Sequence, residues 1–405
     1  MENRNYEIVR AEGGKQFVGL RIVNNLMEVH IPNSFAISNG EREQKLDILA
    51  ILNTLKLGNK EYFVTTLGFE KQNPALWAFD SYFWIIRDYL NNGIYTERQK
   101  SSVINGAGKI NWKQTIQNND PIIIGKSAVY SKLIVDTYKN ENTFISDIYK
   151  ICLNIAKDRL GWLFGFDKFI DVNESLELCK IKKTVELEYL NTFNLSQRIR
   201  FSHMIKILDG VTDDTIKSSF FIFGVKSYDH IFEKMIDKKY GNVTDKNRYY
   251  PRTRWILESG DKLNARLEPD TIFKHKDTIY ILDAKLYKFG ENGLNKNLPD
   301  SQAIQKQITY GKYINKICSN MHIRNVFVLP YNKELNSFEL TDNLVYFGYA
   351  LADWNDMLKL QDYEYIIGLF IDMKFLILKW SEKNNDEQQA LVNLVESNLN
   401  SIKNN

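Results

Sequence analysis

The sequence predicts an α/β protein with an α-rich front followed by an α/β module. Three observations carry that prediction. The first half repeats apolar residues at helical spacing, and residues 267–287 hold two β-like runs around a short polar turn. The 405 residues are 44% hydrophobic and 25% charged, which is ordinary globular composition and excludes a mostly disordered or fibrous chain.

Taken in order, LDILAILNTLKLG (residues 46–58) has helical apolar spacing and a glycine stop. LWAFDSYFWIIRDYL (76–90) has the same spacing with an aromatic stripe, read as core, and NNG supplies its C-terminal punctuation. TFISDIYKICLNIAKDRL (143–160) is amphipathic, and the helical reading continues through residues 185–210. Then LEPDTIF (267–273) and TIYILDAKLY (278–287) flank the turn KHKD, followed by a polar helix and the apolar run NVFVLP (325–330). NLVYFGYA (343–350) reads as a strand, and residues 363–380 and 386–399 read as two closing helices. The first of these is the most membrane-like stretch, but Asp372 and Lys374 interrupt it. Each would cost about 2.5 to 3.5 kcal/mol at a bilayer centre, so a buried helix is expected and no membrane partner.

Length predicts two or three domains, each able to bury a core. Fifty-three Lys and Arg against 50 Asp and Glu give a net charge of +3, so any nucleic-acid surface must come from local patterning. Cys152, Cys179 and Cys318 lie far apart without CxxC spacing, which points away from a disulfide framework or zinc knuckle and towards a reducing compartment. MENRNYEIVRAEGG has no apolar stretch after its charges, so a secretory signal is not expected. Gly125, Lys126 and Ser127 imitate the end of a phosphate loop, but the position of its first glycine holds Asp120, so no nucleotide site is expected. The five histidines lack HExxH or paired ligand spacing.

The chemistry concentrates on the hairpin. Strand side chains alternate, so Asp283 and Lys285 project from one face while Ala284 points to the other. They follow Tyr280, Ile281 and Leu282, where a purely structural strand would continue apolar. Asp270 opens the first run. Two carboxylates can bind Mg²⁺ through hard oxygens and leave positions for water and phosphate. The ion's charge would stabilise a pentacovalent phosphorus and help form hydroxide. Lys285 could contact the scissile phosphate and orient or help deprotonate the attacking water. Glu268 shares the parity of Asp270, so parity alone leaves both open. Against this stands the plain reading of Asp-X-Lys as a surface salt bridge worth about 0 to 1 kcal/mol.

Pro269, Asp270, Asp283 and Lys285 together resemble the PD-(D/E)XK nuclease superfamily, which favours Asp270 over Glu268. The resemblance implies a core of mixed central sheet flanked by helices. It also assigns FFIFGVKSYDHIFEKMI (220–236) to the preceding helix, with Glu233 as an additional acid approaching the metal. On SQAIQKQITYGKY (301–313), Gln307 and Tyr310 share a helix face, and by the same resemblance they position substrate or site. Their spacing is shorter than the commonest QxxxY form. Ahead of the hairpin, DKNRYYPRTRW interleaves Lys246, Arg248, Arg252 and Arg254 with Tyr249, Tyr250 and Trp255. Cations can hold phosphates and rings can stack on bases, which makes this a candidate substrate arm.

Further stretches resemble the LlaJI restriction endonuclease family, itself similar to the nuclease subunit of McrBC-type systems. They are IIRDYLNNGIYTE, GKINWKQTIQNNDPI, FGVKSYDHIFEKM, and LEPD followed by ILDAKLY. The resemblance implies a cytoplasmic endonuclease cutting foreign double-stranded DNA, a companion methyltransferase and a separate NTP-driven motor subunit. We assign residues 1–160 to recognition or partner docking, 161–353 to the nuclease core, and 354–405 to helices packed on that core. Two other readings compete: a structure-selective repair or phage-defence nuclease, and a non-cleaving docking subunit of an NTP-driven complex.

Overall fold

The computed structural model describes residues 6–10, 17–23, 26–58, 74–166, 170–172, 178–209, 222–354 and 360–404. The chain forms two compact units: Met1–Thr66 joined with Phe220–Asn405, and Leu67–Ser219.

The first unit begins with strands β1 (Tyr6–Arg10), β2 (Val18–Val23) and β3 (Leu26–Ile31). β3 runs parallel to β1 and antiparallel to β2, and Val18, Leu20, Val29 and Ile31 are buried. These strands lie inside a region read as α-rich. Helix α1 (Glu41–Thr54) follows, and a single 3-10 turn, Leu55–Leu57, runs into Gly58, the predicted stop.

The second unit opens with α2 (Pro74–Asn92), which ends where NNG predicts, with Gly93 at φ +75°. It continues through β4 (Glu97–Ile104), β5 (Lys109–Ile110), α3 (Trp112–Asn118), β6 (Ile122–Ile124), β7 (Ser127–Val129) and β8 (Ile134–Glu141). β8 is the middle strand of a sheet ordered β4-β8-β5. Ile124 pairs with Ser127, so Gly125 and Lys126 are the turn of a hairpin and no phosphate loop forms. α4 (Phe144–Phe164) starts at a Thr143–Ser146 capping box and stops at left-handed Gly165. α5 (Leu178–Asn191) and α6 (Leu195–Asp209) complete the unit. Buried Asp88 on α2 ties the bundle together by accepting from Arg200 of α6 at 3.0 and 3.1 Å and from the Tyr149 hydroxyl of α4 at 3.0 Å.

The chain then returns to the first unit with β9 (Ile222–Val225), α7 (Asp229–Tyr240), β10 (Arg252–Leu257), β11 (Gly260–Arg266), β12 (Thr271–His275) and β13 (Thr278–Ala284). After these come a one-turn helix α8 (Phe289–Asn292), α9 (Ser301–Ile317), β14 (His322–Tyr331), β15 (Leu344–Ala350), β16 (Ile366–Asp372), α10 (Met373–Lys379) and α11 (Asn385–Asn404). β9 pairs with β2, Val18 opposite Val225, and completes a sheet ordered β1-β3-β2-β9. That pairing places the N-terminal strands in the same unit as the hairpin. The unit boundaries therefore differ from the contiguous ranges 1–160, 161–353 and 354–405.

The second sheet of this unit has five strands in the order β12-β13-β14-β16-β15, and β13, β14 and β16 are parallel. α9 covers one face, where Ile314 and Tyr310 pack on Ile272, Ile279, Ile281 and Ile323. Tyr280 alternates to the opposite face, and its hydroxyl donates to Glu396 of α11 at 2.8 Å. Gly311 permits the close approach of α9: a Cβ there would lie 2.7 Å from Asn325 Nδ2 and from Tyr363 Cβ.

Two expectations need correction. Residues 363–380 are not one helix, because β16 occupies Ile366–Asp372 between β14 and β15 before α10 begins. A strand buried on both faces reads as an unbroken apolar run, which periodicity cannot separate from a buried helix. Asp372 makes the break, its Oδ2 accepting from Phe375 N at 2.9 Å as the cap of α10. The stretch 220–236 is likewise strand β9 and then α7, with Phe220 and Phe221 outside the described residues.

Candidate active site

The β12–β13 hairpin brings the two distant acids together. Thr271 pairs with Leu282, and the same register continued by one residue sets Asp270 across from Asp283. Asp270 Oδ2 accepts from the main-chain N–H of Ala284 at 2.9 Å, which ties the entering chain to the end of β13. Asp283 is 2% exposed and ion-paired with Lys285 Nζ, so the acid and the lysine share a side as their parity predicts. Beyond the last residue of β13, Lys285 N donates to Val328 O at 2.9 Å, which holds the lysine in line with the sheet.

These groups perturb one another. Burial, with the negative charges of Asp283 and Glu233, pushes the Asp270 carboxyl up to about 7, against Lys285 and the Ala284 hydrogen bond. Glu233 on α7 is also raised, first by burial and then by Asp283 and Asp229, with Lys285 and Lys306 opposing. Burial would discharge Lys285, but Asp283, Asp270 and Glu233 outweigh it and hold the ammonium above its usual range. His230, one turn before Glu233, places Nδ1 3.4 Å from Glu233 Oε2.

The surroundings fix the main chain that carries the acids. Buried Gln307 donates through Nε2 to Ile281 O at 2.8 Å and to Asn325 Oδ1 at 3.3 Å. Tyr310 donates its hydroxyl to Glu268 O at 2.9 Å, on the approach to Asp270. Burial, together with Asp283, Asp270 and Glu268, raises the Tyr310 phenol, which keeps it a neutral donor. Glu268 itself is exposed. Lys246 Nζ bridges Asp237 Oδ1 at 2.6 Å and Asp270 O at 3.1 Å. Thus Gln307, Tyr310 and Lys246, all expected at the substrate, direct their hydrogen bonds to the protein around the acids.

The remaining cations of the arm lie further out. Arg248 stacks on Tyr249 at 4.9 Å, Arg252 Nε donates to Asn264 O at 2.7 Å, and Arg254 faces Asp261 at 3.4 Å. A cleft of about 640 Å³ opens beside the hairpin, lined by Leu286, Tyr287 and Lys288 just after Lys285 and by Tyr228 and Asp229 at the start of α7. Sequence reasoning missed Asp229 and Lys306, which act on Glu233. The signal for Asp229 was its position one turn before Glu233 on the same helix face.

Among the described residues, no three His, Cys, Asp or Glu side chains form a closed metal-ligand group. Asp270, Asp283 and Glu233 act on one another as charges without forming one. The donor set nevertheless suits a hard divalent ion that keeps several waters and takes one or two carboxylates. Three carboxylates face the one ammonium of Lys285, and the proton that Asp270 retains near neutral pH partly offsets their repulsion. A divalent cation would offset it fully.

Residues 43–373 match the family model described as LlaJI restriction endonuclease. The Type II restriction enzyme BsuMI component YdjA of Bacillus subtilis (strain 168) is 23% identical over 265 residues, 61% of this chain and 57% of that protein. The match thus spans little more than half of that relative's length. A chain in the refined half-complex from the tetradecameric assembly of Thermococcus gammatolerans McrB AAA+ hexamers with bound McrC superposes at a TM-score of 0.40 and 13% identity. That superposition covers 93% of this chain and 83% of the other. Among the described residues, no helix is long and apolar enough to cross a membrane.

Proposed function

The chain belongs to the LlaJI restriction endonuclease family, and from that premise we propose that it hydrolyses phosphodiester bonds of foreign double-stranded DNA on a PD-(D/E)XK core with Mg²⁺. The observation that carries the reading is the meeting of buried Asp283 with half-buried Asp270 and Lys285 at one end of β13. Asp270 and Asp283 would hold the ion, with Glu233 beyond them on α7. When bound, Mg²⁺ supplies positive charge at the phosphate and acidifies a coordinated water.

The chain's own groups do the rest. Ala284 N–H fixes Asp270, Gln307 fixes β13 at Ile281, and Tyr310 fixes the chain entering β12 at Glu268. Lys285, kept charged by the three acids, lies against the scissile phosphate and stabilises negative charge as it develops. Glu233, with its proton affinity raised above that of an ordinary carboxylate by burial and by Asp283 and Asp229, orients the attacking water and takes up its proton.

The word "component" in the relative's name supports dependence on further subunits, which on this reading are a companion methyltransferase protecting host DNA and an NTP-driven motor. Action on DNA in the cytoplasm follows from the same reading. The name is also compatible with a second reading, a non-cleaving docking subunit, which predicts Mg²⁺-independent DNA binding and no nicking in any partner mixture.

The deciding experiment incubates unmodified phage DNA with Mg²⁺ and the wild type, Asp283→Ala or Lys285→Ala, with and without neighbouring gene products. Both variants are expected to lose cleavage while retaining the fold and most DNA affinity. Normal cleavage by either one overturns the assignment.

A further inference from the structure

We propose that the β10–β11 hairpin is a ribbon that enters the major groove of duplex DNA and reads base edges beside the scissile phosphate. The proposal rests on the nuclease reading above and adds the element that contacts sequence.

The ribbon is firmly mounted and otherwise bare. At its base, Leu267 N donates to Pro251 O at 2.9 Å, and Arg266 Nη1 donates to Asn247 Oδ1 at 3.1 Å. Just before β10, Tyr249 is buried in the core cluster beneath α9. Beyond that base, every residue of β10 is exposed, as is nearly all of β11, and the two strands pair only with each other. Only residues 267–269 separate the ribbon from Asp270, so its position relative to the acids is fixed by a short tether.

Its chemistry is unusual for solvent. Trp255, Ile256 and Leu263 are 62%, 74% and 54% exposed. A lone two-stranded hairpin is marginally stable, and exposed apolar groups on both of its faces give it no hydrophobic return in water. Trp255 pairs with Lys262 and Arg254 with Leu263, so each face carries a cation beside a large apolar group, and Ile256 joins the face of Arg254 and Leu263. Arg252, Arg254, Lys262 and Arg266 outnumber Glu258 and Asp261 on the ribbon.

A major groove about 12 Å wide admits a two-stranded β-ribbon, offers phosphates along its rims to cations, and presents thymine methyls to apolar side chains. The reach also fits, because six residues of strand extend about 20 Å. Arg254 and Lys262 are therefore assigned to phosphates, and Trp255 to base edges.

The test measures binding of the full chain to a duplex carrying the cut site mapped by sequencing the ends of cleaved phage DNA, the cognate duplex, and to a scrambled duplex across a salt series without metal, alongside cleavage with Mg²⁺. Removing both cations, Arg254→Ala with Lys262→Ala, is expected to lower the slope of log affinity against log salt by about 2. Trp255→Ala is expected to leave the slope unchanged, weaken cognate binding about tenfold and reduce discrimination against the scrambled duplex. If the wild type binds and cuts DNA and both variants match it, the ribbon proposal falls and the nuclease reading stands. If the variants lose association with a partner protein while DNA binding is intact, the ribbon is a protein-docking element and the proposal falls. A wild type that neither binds nor cuts any DNA in any partner mixture overturns both.

Discussion

Asp270→Asn isolates the electrostatic stress of the site without reference to activity. The native carboxyl binds its proton near pH 7, whereas the ordinary value is 3.8. A group whose folded value is raised contributes stability that is present below its unfolded value and lost as pH rises through the folded one. The ionised Asp270 therefore costs the native state about 4 kcal/mol above pH 8, and nothing below pH 4. Asparagine keeps the size and an oxygen to accept from Ala284 N–H, and removes the charge. In EDTA, urea unfolding at pH 8 is expected to show the variant more stable than wild type by about 2 to 4 kcal/mol, with the gain vanishing towards pH 4. Mg²⁺ should narrow the difference, since an ion at one hundred times its dissociation constant stabilises the wild type by about 2.7 kcal/mol. At pH 7 its binding should also release about half a proton, because Asp270 is then half protonated. A variant that is less stable at pH 8, or differs equally at both pH values, refutes the reasoning.

Tyr310→Phe removes the donor to Glu268 O; urea unfolding should show a loss of about 1 to 3 kcal/mol, and cleavage should fall in kcat at unchanged DNA affinity. Gly311→Ala drives a methyl to 2.7 Å from Asn325 Nδ2 and Tyr363 Cβ, and the urea midpoint should report a cost of about 1 to 3 kcal/mol. Lys246→Met frees Asp270 O and Asp237 from their shared ammonium, so cleavage should fall while the salt slope of DNA binding stays the same. A slope reduced by about 1 would instead show that Lys246 contacts phosphate.

The elements nearest the site were the most legible. The turn and parity of residues 267–287 correctly indicated a hairpin with Asp283 and Lys285 on one side, because period-two alternation depends only on local geometry. The helices around residues 46–58, 76–90 and 143–160 were legible for the same reason, and glycines mark their ends. Less visible was anything set by distant pairing. β1, β2 and β3 are short and partly charged, and they gain their place from β9, some two hundred residues on in sequence. β16 was hidden because burial on both faces erases its alternation. The roles of Gln307 and Tyr310 were legible only as a shared helix face. That their hydrogen bonds go to Ile281 O and Glu268 O depends on how closely α9 approaches β13 and β14, which Gly311 permits.

The choice between a structural salt bridge and a reactive centre turns on burial. An exposed Asp-X-Lys pair would be nearly neutral for stability, and chance occurrence would explain it. Asp283 is almost fully buried, and Asp270 and Glu233 converge on the same lysine. Desolvating that many charges costs more than one ion pair returns, and apolar side chains of similar size would pack there at less cost. A fold selected for stability alone has no use for the second and third acids. With burial, Asp283 and Glu233 acting on it, the Asp270 carboxyl exchanges its proton near neutral pH, which suits proton transfer and leaves room for an added cation. The excess acid beside a single ammonium, more than the motif itself, is what separates this hairpin from a surface turn.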